Sequence, residues 1–227
     1  IWASGGSFSD YFIHNIDECC WIKNDWPIKA QGAGGRHYRQ SPGGQSYVDQ
    51  NLDAYTVEYT FADGAKLYLH GRTMAGCYGD FASYAHGSKG LGIISMRGHW
   101  PAPCKIFKGQ SMKDPVAWAY PGRESDPYQD EWNDLMSAIR EDKPFNEADR
   151  GIKASVVTAM GRYATHTGQE ATYDQVLNHD HDLSPNLDQL TMDSPAPLQM
   201  NPDGKYPVPQ PGIIKDREYL QIKADKV

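Results

Sequence analysis

Two runs of strict alternation, AYTVEYTF and AKLYLHGRTM, stand either side of the turn Ala62-Asp63-Gly64. Side chains of a strand point to opposite faces in turn, so this pattern predicts a β-hairpin with one buried face. Three further short runs, FASYAHG, GLGIISMRG and PCKIFKG, are each bounded by Gly or Pro and continue the strand pattern. The middle third therefore reads as a meandering antiparallel sheet. With 227 residues and 39% hydrophobic content the chain can bury one substantial core, which favours one domain with an appendage.

Helical spacing appears on both sides of the strands. Phe12, Ile13, Ile16, Cys20 and Trp21 predict a helix from about Ser9 to Ile22, led in by a glycine- and serine-rich segment. Pro27 and the glycines of QGAGGRHYRQSPGGQ then predict a long loop. From Asp126, the residues Trp132, Leu135, Met136 and Ile139 recur at i, i+3, i+4 and i+7, giving an amphipathic helix that stops before Pro144. A second helix is expected from Asn146, an N-cap residue with acidic residues in the first turn, to Thr167 before Gly168, and a short one over Tyr173 to Leu177. From Ser184 onward repeated prolines exclude a regular helix or a central strand. Residues 1–183 are thus expected to form the domain, and residues 184–227 an extended tail that lies along it or reaches a neighbour. The fold class is α+β: a large, mostly antiparallel open sheet with helices on one face, the other face being covered in a homodimer or homotetramer.

Lys and Arg total 22 against 29 Asp and Glu, a net charge of -7 without a basic cluster, which argues against a nucleic-acid surface. The longest apolar run falls far short of a membrane span. A start at Ile1, inside what reads as a folded segment, suggests a fragment or processed chain, so the compartment stays open. Cys19, Cys20, Cys77 and Cys104 include no CxxC pair and no histidine at finger spacing, so buried free thiols are expected rather than a zinc site.

Chemistry concentrates at Asp10, His14 and Asp17, whose spacing puts them on one face of the first helix. A carboxylate and an imidazole on adjacent turns can orient each other, and histidine exchanges protons near neutral pH, which suits removal of a hydroxyl proton. The same spacing equally serves a histidine that only bonds within the core. A metal site would need a fourth ligand, and none is suggested. Arg36 and His37 follow the glycine run, and His70 and Arg72 share one face of the second hairpin strand. Each could hydrogen-bond sugar hydroxyls or an acid group, or could simply be solvated. Among the aromatic residues, Tyr78, Trp100, Trp118 and Tyr120 could form a sugar-stacking wall, or could serve core and interface packing.

GGSFSDYFIHNID resembles the helix motif of the Gfo/Idh/MocA oxidoreductases, in which a glycine run leads to Asp, then His four residues on, then Asp three beyond. The helix pair around Lys143-Pro144, with Thr167-Gly168-Gln169 before the last helix, resembles the closing segment of secreted or membrane-associated bacterial members. With the R-x-M-x-G-C-Y run at Arg72 to Tyr78, the resemblance covers most of residues 1–180. It implies a two-domain enzyme: an N-terminal Rossmann domain for NAD or NADP, and a C-terminal, dihydrodipicolinate-reductase-like domain whose open sheet forms the substrate floor and the oligomer interface.

By the same resemblance His14 is the acid/base for the substrate hydroxyl, Asp10 positions a sugar or polyol, and Asp17 braces the helix; from their own positions Asp17, Arg36, His37, His70, Arg72 and Tyr78 are the further candidates for contact with substrate. The chain departs from the family in having no GxGxxG between a strand and a helix; GAGGRH at Gly32 to His37 is expected in a loop. The lysine of the family's E-K-P motif is absent too. Both departures imply that the nucleotide-binding domain is missing, that no cofactor binds this chain alone, and that the chain by itself is inactive. An NAD-dependent glycoside-cleaving enzyme using the same His14, and a non-catalytic carbohydrate-binding or assembly module, are the alternatives. Members with this closing segment are bacterial and often exported, which leaves a cytoplasmic or a periplasmic location.

Overall fold

Strand register sets the layout of the first sheet. The computed structural model describes residues 4–37, 43–44, 51–98, 100–180, 182–183, 186–195, 199–202, 204 and 206–219. Strands β2 (Ala54–Thr60) and β3 (Lys66–Arg72) form the expected hairpin, paired from Ala54↔Arg72 to Thr60↔Lys66. Its turn is closed by Phe61 N–H to Ala65 O and by Ala65 N–H to the Asp63 carboxylate, at 3.0 Å each. The other side of β2 pairs along its whole length with β1 (Lys29–Gly35), which in turn pairs with the short β8 (Ala171–Thr172). The order is β3-β2-β1-β8, antiparallel throughout.

β1 corrects the sequence reading, which placed its glycines in a loop. Tyr55, Val57 and Tyr59 are buried on one face of β2, and α3 (Ala148–Thr167) packs over that face. A Cβ at Gly32 would stand 2.5 Å from Thr165 Oγ1 and 2.9 Å from the Thr56 carbonyl; one at Gly34 would stand 2.6 Å from the Ala54 carbonyl and 2.7 Å from Thr165 Cγ2. Glycine here allows close helix-on-strand approach rather than a turn. Gly161 does the same from the helix side, because a Cβ there would strike the Tyr59 hydroxyl.

The chain divides into two compact units. The first comprises the described residues of Ile1–Ile16, Asp25–Gly76 and Lys153–Val227, and so includes the first sheet, most of α3, and α4 (Tyr173–Leu177). Its helical layer begins with a π-helical turn over Phe8–Phe12 that runs into α1 (Ile13–Lys23). Phe8 is fully buried against Tyr55, with ring centroids 4.7 Å apart, and Phe12 fills the place a Cβ on Gly71 would occupy. The proline-rich tail returns to this unit. Gly212 N–H bonds to the Thr167 carbonyl at 2.8 Å, and Ile214, Glu218 and Tyr219 are buried.

The second unit comprises Asp17–Asn24 and Cys77–Ile152. Strands β4 (Ala82–Gly87), β5 (Gly90–Met96), β6 (Lys105–Phe107) and β7 (Val116–Ala119) form a second antiparallel sheet in chain order. The antiparallel α+β class is as expected, with the strands shared between two four-stranded sheets. Leu91, Ile93 and Phe107 make its apolar centre. Helix α2 (Pro127–Arg140) begins as expected, with Asp126 accepting from Tyr128 N–H at 3.0 Å and proline in the first turn. None of its side chains is buried, and its apolar stripe of Tyr128, Trp132, Met136 and Ile139 is exposed. Against the expectation of buried thiols, Cys77 is exposed, whereas Cys20 is buried and burial pushes the Cys19 thiol up to about 11. Among the described residues no helix is long and apolar enough to cross a membrane.

Candidate functional site

One end of the first sheet gathers much of the polar chemistry. Here β1 finishes, β2 starts and β3 finishes, and Asp53 stitches the three: its N–H bonds to the Gly35 carbonyl and its own carbonyl accepts from Thr73 N–H, at 2.9 Å each. Arg36 and His37 leave β1 at this point. Arg36 donates from Nη1 to the Asn51 carbonyl at 3.0 Å, and His37 donates its backbone N–H to the Asp53 carboxylate at 2.5 Å. The Asn51 side chain fills the space beside Gly6, whose φ of 62° uses the left-handed region open to glycine. The lead-in to the first helix is thereby fixed to the segment that holds Arg36.

Asp10 and His14 follow that lead-in and are both exposed. Asp10 lies in the π-helical turn, where i→i+5 pairing accommodates an extra residue, so the pair departs from the strict α-helical register inferred from spacing. Phe8 and Phe12 anchor the turn on Tyr55 and Gly71, at the same end of the sheet. An exposed carboxylate on an anchored turn and an exposed imidazole in the helix that continues it can hold a hydroxylated ligand and exchange a proton with it.

The remaining residues are placed elsewhere. Asp17 belongs to the second unit, where Arg150 Nη2 and Nε reach its two carboxylate oxygens at 2.8 and 3.3 Å while the same guanidinium lies 4.8 Å from the Trp21 ring. That fork braces the helix. His70 and Arg72 alternate with Leu69 and Gly71, and so point to the sheet face away from the helical layer; His70 Nδ1 lies 3.4 Å from Thr56 Oγ1. Tyr78 is in the second unit and exposed. Among the described residues, no group of three His, Cys, Asp or Glu side chains is arranged to hold a metal ion.

A buried network beneath the sheet end escaped sequence reasoning. Tyr55 Oη lies 3.0 Å from His166 Nε2, His166 Nδ1 lies 2.7 Å from Glu218 Oε2, and Arg162 Nη2 lies 2.8 Å from the same oxygen. Burial, the largest influence, holds the His166 pKa below its ordinary value although Glu218 pulls the other way. A neutral His166 fits one consistent arrangement. Its Nδ1–H donates to Glu218, its Nε2 accepts from Tyr55, and Tyr55 accepts from Leu52 N–H at 2.9 Å. Through Leu52 the tail thus supports the segment that holds Arg36 and His37. Nothing in local spacing marks this network, because Glu218 stands 52 residues from His166 in a segment whose composition signals only extended chain.

No family model matches the sequence, and no curated protein does either. The fold is nevertheless shared with solved bacterial oxidoreductases. Aldose-aldose oxidoreductase from Caulobacter crescentus, solved with glycerol, superposes with a TM-score of 0.56 at 17% identity, over 74% of this chain and 48% of that one. An oxidoreductase domain protein from Kribbella flavida gives 0.56 at 17% identity, over 74% and 50%. UDP-N-acetylglucosamine 3-dehydrogenase from Acidithiobacillus ferrooxidans gives 0.50 at 15%, over 68% and 45%. The chain spans about half the length of these structures.

Proposed function

We propose that this chain is the C-terminal substrate-binding and oligomerisation domain of a Gfo/Idh/MocA-type oxidoreductase acting on the CH–OH group of a sugar or polyol. The observation that carries the reading is the exposed pair of Asp10, on a π-helical turn that Phe8 and Phe12 anchor on Tyr55 and Gly71, and His14, in the first turn of the α1 helix that continues it. In this reading His14 takes the proton of the substrate hydroxyl as that carbon is oxidised, and returns it in the reverse direction. Asp10 orients the substrate, and Arg36 and His37 bind neighbouring oxygens. An imidazole suits the task because it changes protonation state near neutral pH.

NAD or NADP would accept the hydride in the intact protein, but the glycines of this chain do not fit that cofactor. Gly32, Gly34 and Gly35 lie within a strand paired throughout with β2, and a dinucleotide turn needs a glycine-rich bend between a strand and a helix. The nucleotide is therefore assigned to a separate domain, and this chain alone is expected to be inactive. The outer face of the first sheet, with Tyr68, His70 and Arg72, is assigned to a second copy in a homodimer or homotetramer, a stoichiometry that light scattering measures directly.

The test uses protein in which the nucleotide-binding domain is joined to this one, assayed for nicotinamide reduction against a panel of aldoses and polyols. His14→Asn is expected to lower kcat by about 10²- to 10⁴-fold, the usual contribution of a positioned general base. Asp10→Asn should raise KM as well. Unchanged kcat in the His14 variant sinks the assignment.

A further inference from the structure

We propose a second, cofactor-independent site in this chain: a neutral pyranose subsite on the second unit, built on Trp100 with Arg97 and Glu124 as its hydrogen-bonding rim. An open depression of about 440 Å³ lies where β5 ends, lined by Met96, Arg97, Trp100, Ala102, Pro103 and Glu124. That volume falls in the range of small-molecule sites. The backbone that forms it is unusual. Arg97 has φ 62° and Gly98 φ 108°, two successive residues in left-handed conformations. Arginine seldom adopts such a φ, and an outlier of this kind marks a place where the surrounding structure, and the use made of the side chain, override local preference.

Gly98 lies beside one edge of the indole. A Cβ at Gly98 would lie 3.6 Å from Trp100 Cδ1 and 3.8 Å from its Nε1, yet the tryptophan remains 41% exposed. The floor is held in place by the turn that follows, with Cys104 N–H bonded to the Pro101 carbonyl at 2.9 Å and the Cys104 carbonyl accepting from Tyr120 N–H at 3.0 Å. The ring thus presents open surface to the depression.

The mixture of groups selects the ligand. A phosphate would call for cationic groups alone, and a metal or ammonium for carboxylates alone. Here an apolar, aromatic floor meets one group that only donates, the Arg97 guanidinium, and one that only accepts, the Glu124 carboxylate. A ligand that satisfies all three has an apolar C–H face and a rim of hydroxyls that both donate and accept, which describes a pyranose ring. This site does not rest on the oxidoreductase reading, since it uses neither His14 nor a nucleotide.

The test is NMR on the whole 227-residue chain, following the indole N–H resonances of its 6 tryptophans during titration with methyl β-D-glucopyranoside. A saturable shift of the Trp100 resonance is expected, with line-broadening or shift of neighbouring backbone amides. Trp100→Ala should abolish binding seen by saturation transfer to the sugar. Arg97→Gly, which keeps the left-handed backbone, should weaken it about tenfold, the usual effect of losing one charge-assisted hydrogen bond. Glu124→Gln repeats the measurement if Trp100→Ala does not fold, with weakened binding again expected. Absence of any shift at Trp100, or saturation transfer unchanged in all three variants, overturns the site. Binding of D-glucuronate or glucose 6-phosphate in place of the neutral glucoside overturns its assignment to neutral sugars. Because the readout needs no turnover, failure here leaves the test of His14 standing, and the converse holds too.

Discussion

At Gly32 the missing Cβ is the space that Thr165 Oγ1 occupies, and Thr56 O bounds it from the neighbouring strand. Alanine at this position has nowhere to go without moving backbone or helix. Gly32→Ala is expected to destabilise the first unit by about 1–3 kcal/mol, the range for overpacking a filled site. At Gly35, three residues on in the same strand, nothing lies within 4 Å of the point where a methyl group would stand, so Gly35→Ala should fall within about 0.5 kcal/mol of the parent. Urea unfolding of the two variants separates packing from any general intolerance of the strand to alanine, and equal losses would refute the packing argument. This also shows why the strand was illegible in the sequence. The glycine run carries no β-forming side chains, and what it accommodates lies 133 residues further along the chain, in Thr165. Asp10 and His14, by contrast, were singled out by their own spacing; the π-helical turn that changes their register was not legible there, because π pairing has no simple side-chain period.

At the scale of elements, the parts that showed in the sequence are those whose signals are local. The β2–β3 hairpin announced itself through alternation and an Asp-Gly turn, α2 through its Asp126 cap, and α4 came out at Tyr173–Leu177 as expected. The stripe on α2 was legible as a stripe, but spacing does not say what covers it, and among the described residues it stays exposed. The attachment of the tail was not legible, because it depends on Glu218 reaching His166 and Arg162. This attachment makes stability depend on pH. Burial depresses the folded-state pKa of His166, so below the ordinary value of about 6.5 the unfolded chain binds a proton that the folded chain refuses. Stability from this group is present above that pH and is lost as pH falls toward the folded-state pKa, at up to about 1.4 kcal/mol per pH unit. His166→Gln should be less stable at pH 8 but should lack that part of the slope. Denaturation midpoints of parent and variant at pH 8, 6.5 and 5 measure the difference, and parallel curves would mean His166 is not the titrating group.

For the whole molecule, the division into two units gives each set of contacts its own apolar centre: Val57, Tyr59, Val157 and Met160 in the first, Leu91, Ile93 and Phe107 in the second. A unit with its own core can open separately from its neighbour, and native-state hydrogen exchange reads such openings amide by amide. His166→Gln at neutral pH removes an imidazole from the centre of the first unit, where Tyr55 and Glu218 both depend on it. Removing one partner leaves buried polar groups unsatisfied, a cost of about 1–3 kcal/mol. Leu52, whose amide bonds to Tyr55 Oη, and the amides of β2 should then exchange about 5- to 150-fold faster. Leu91, whose amide bonds to the Gly109 carbonyl, and the rest of β5 should exchange at the parental rate. Acceleration confined to the first unit would establish that the buried network stabilises the sheet end carrying Arg36 and His37 locally. Equal acceleration in β5 would show instead that the chain opens as one cooperative block, so that a defect under the candidate site is felt wherever the protein is folded.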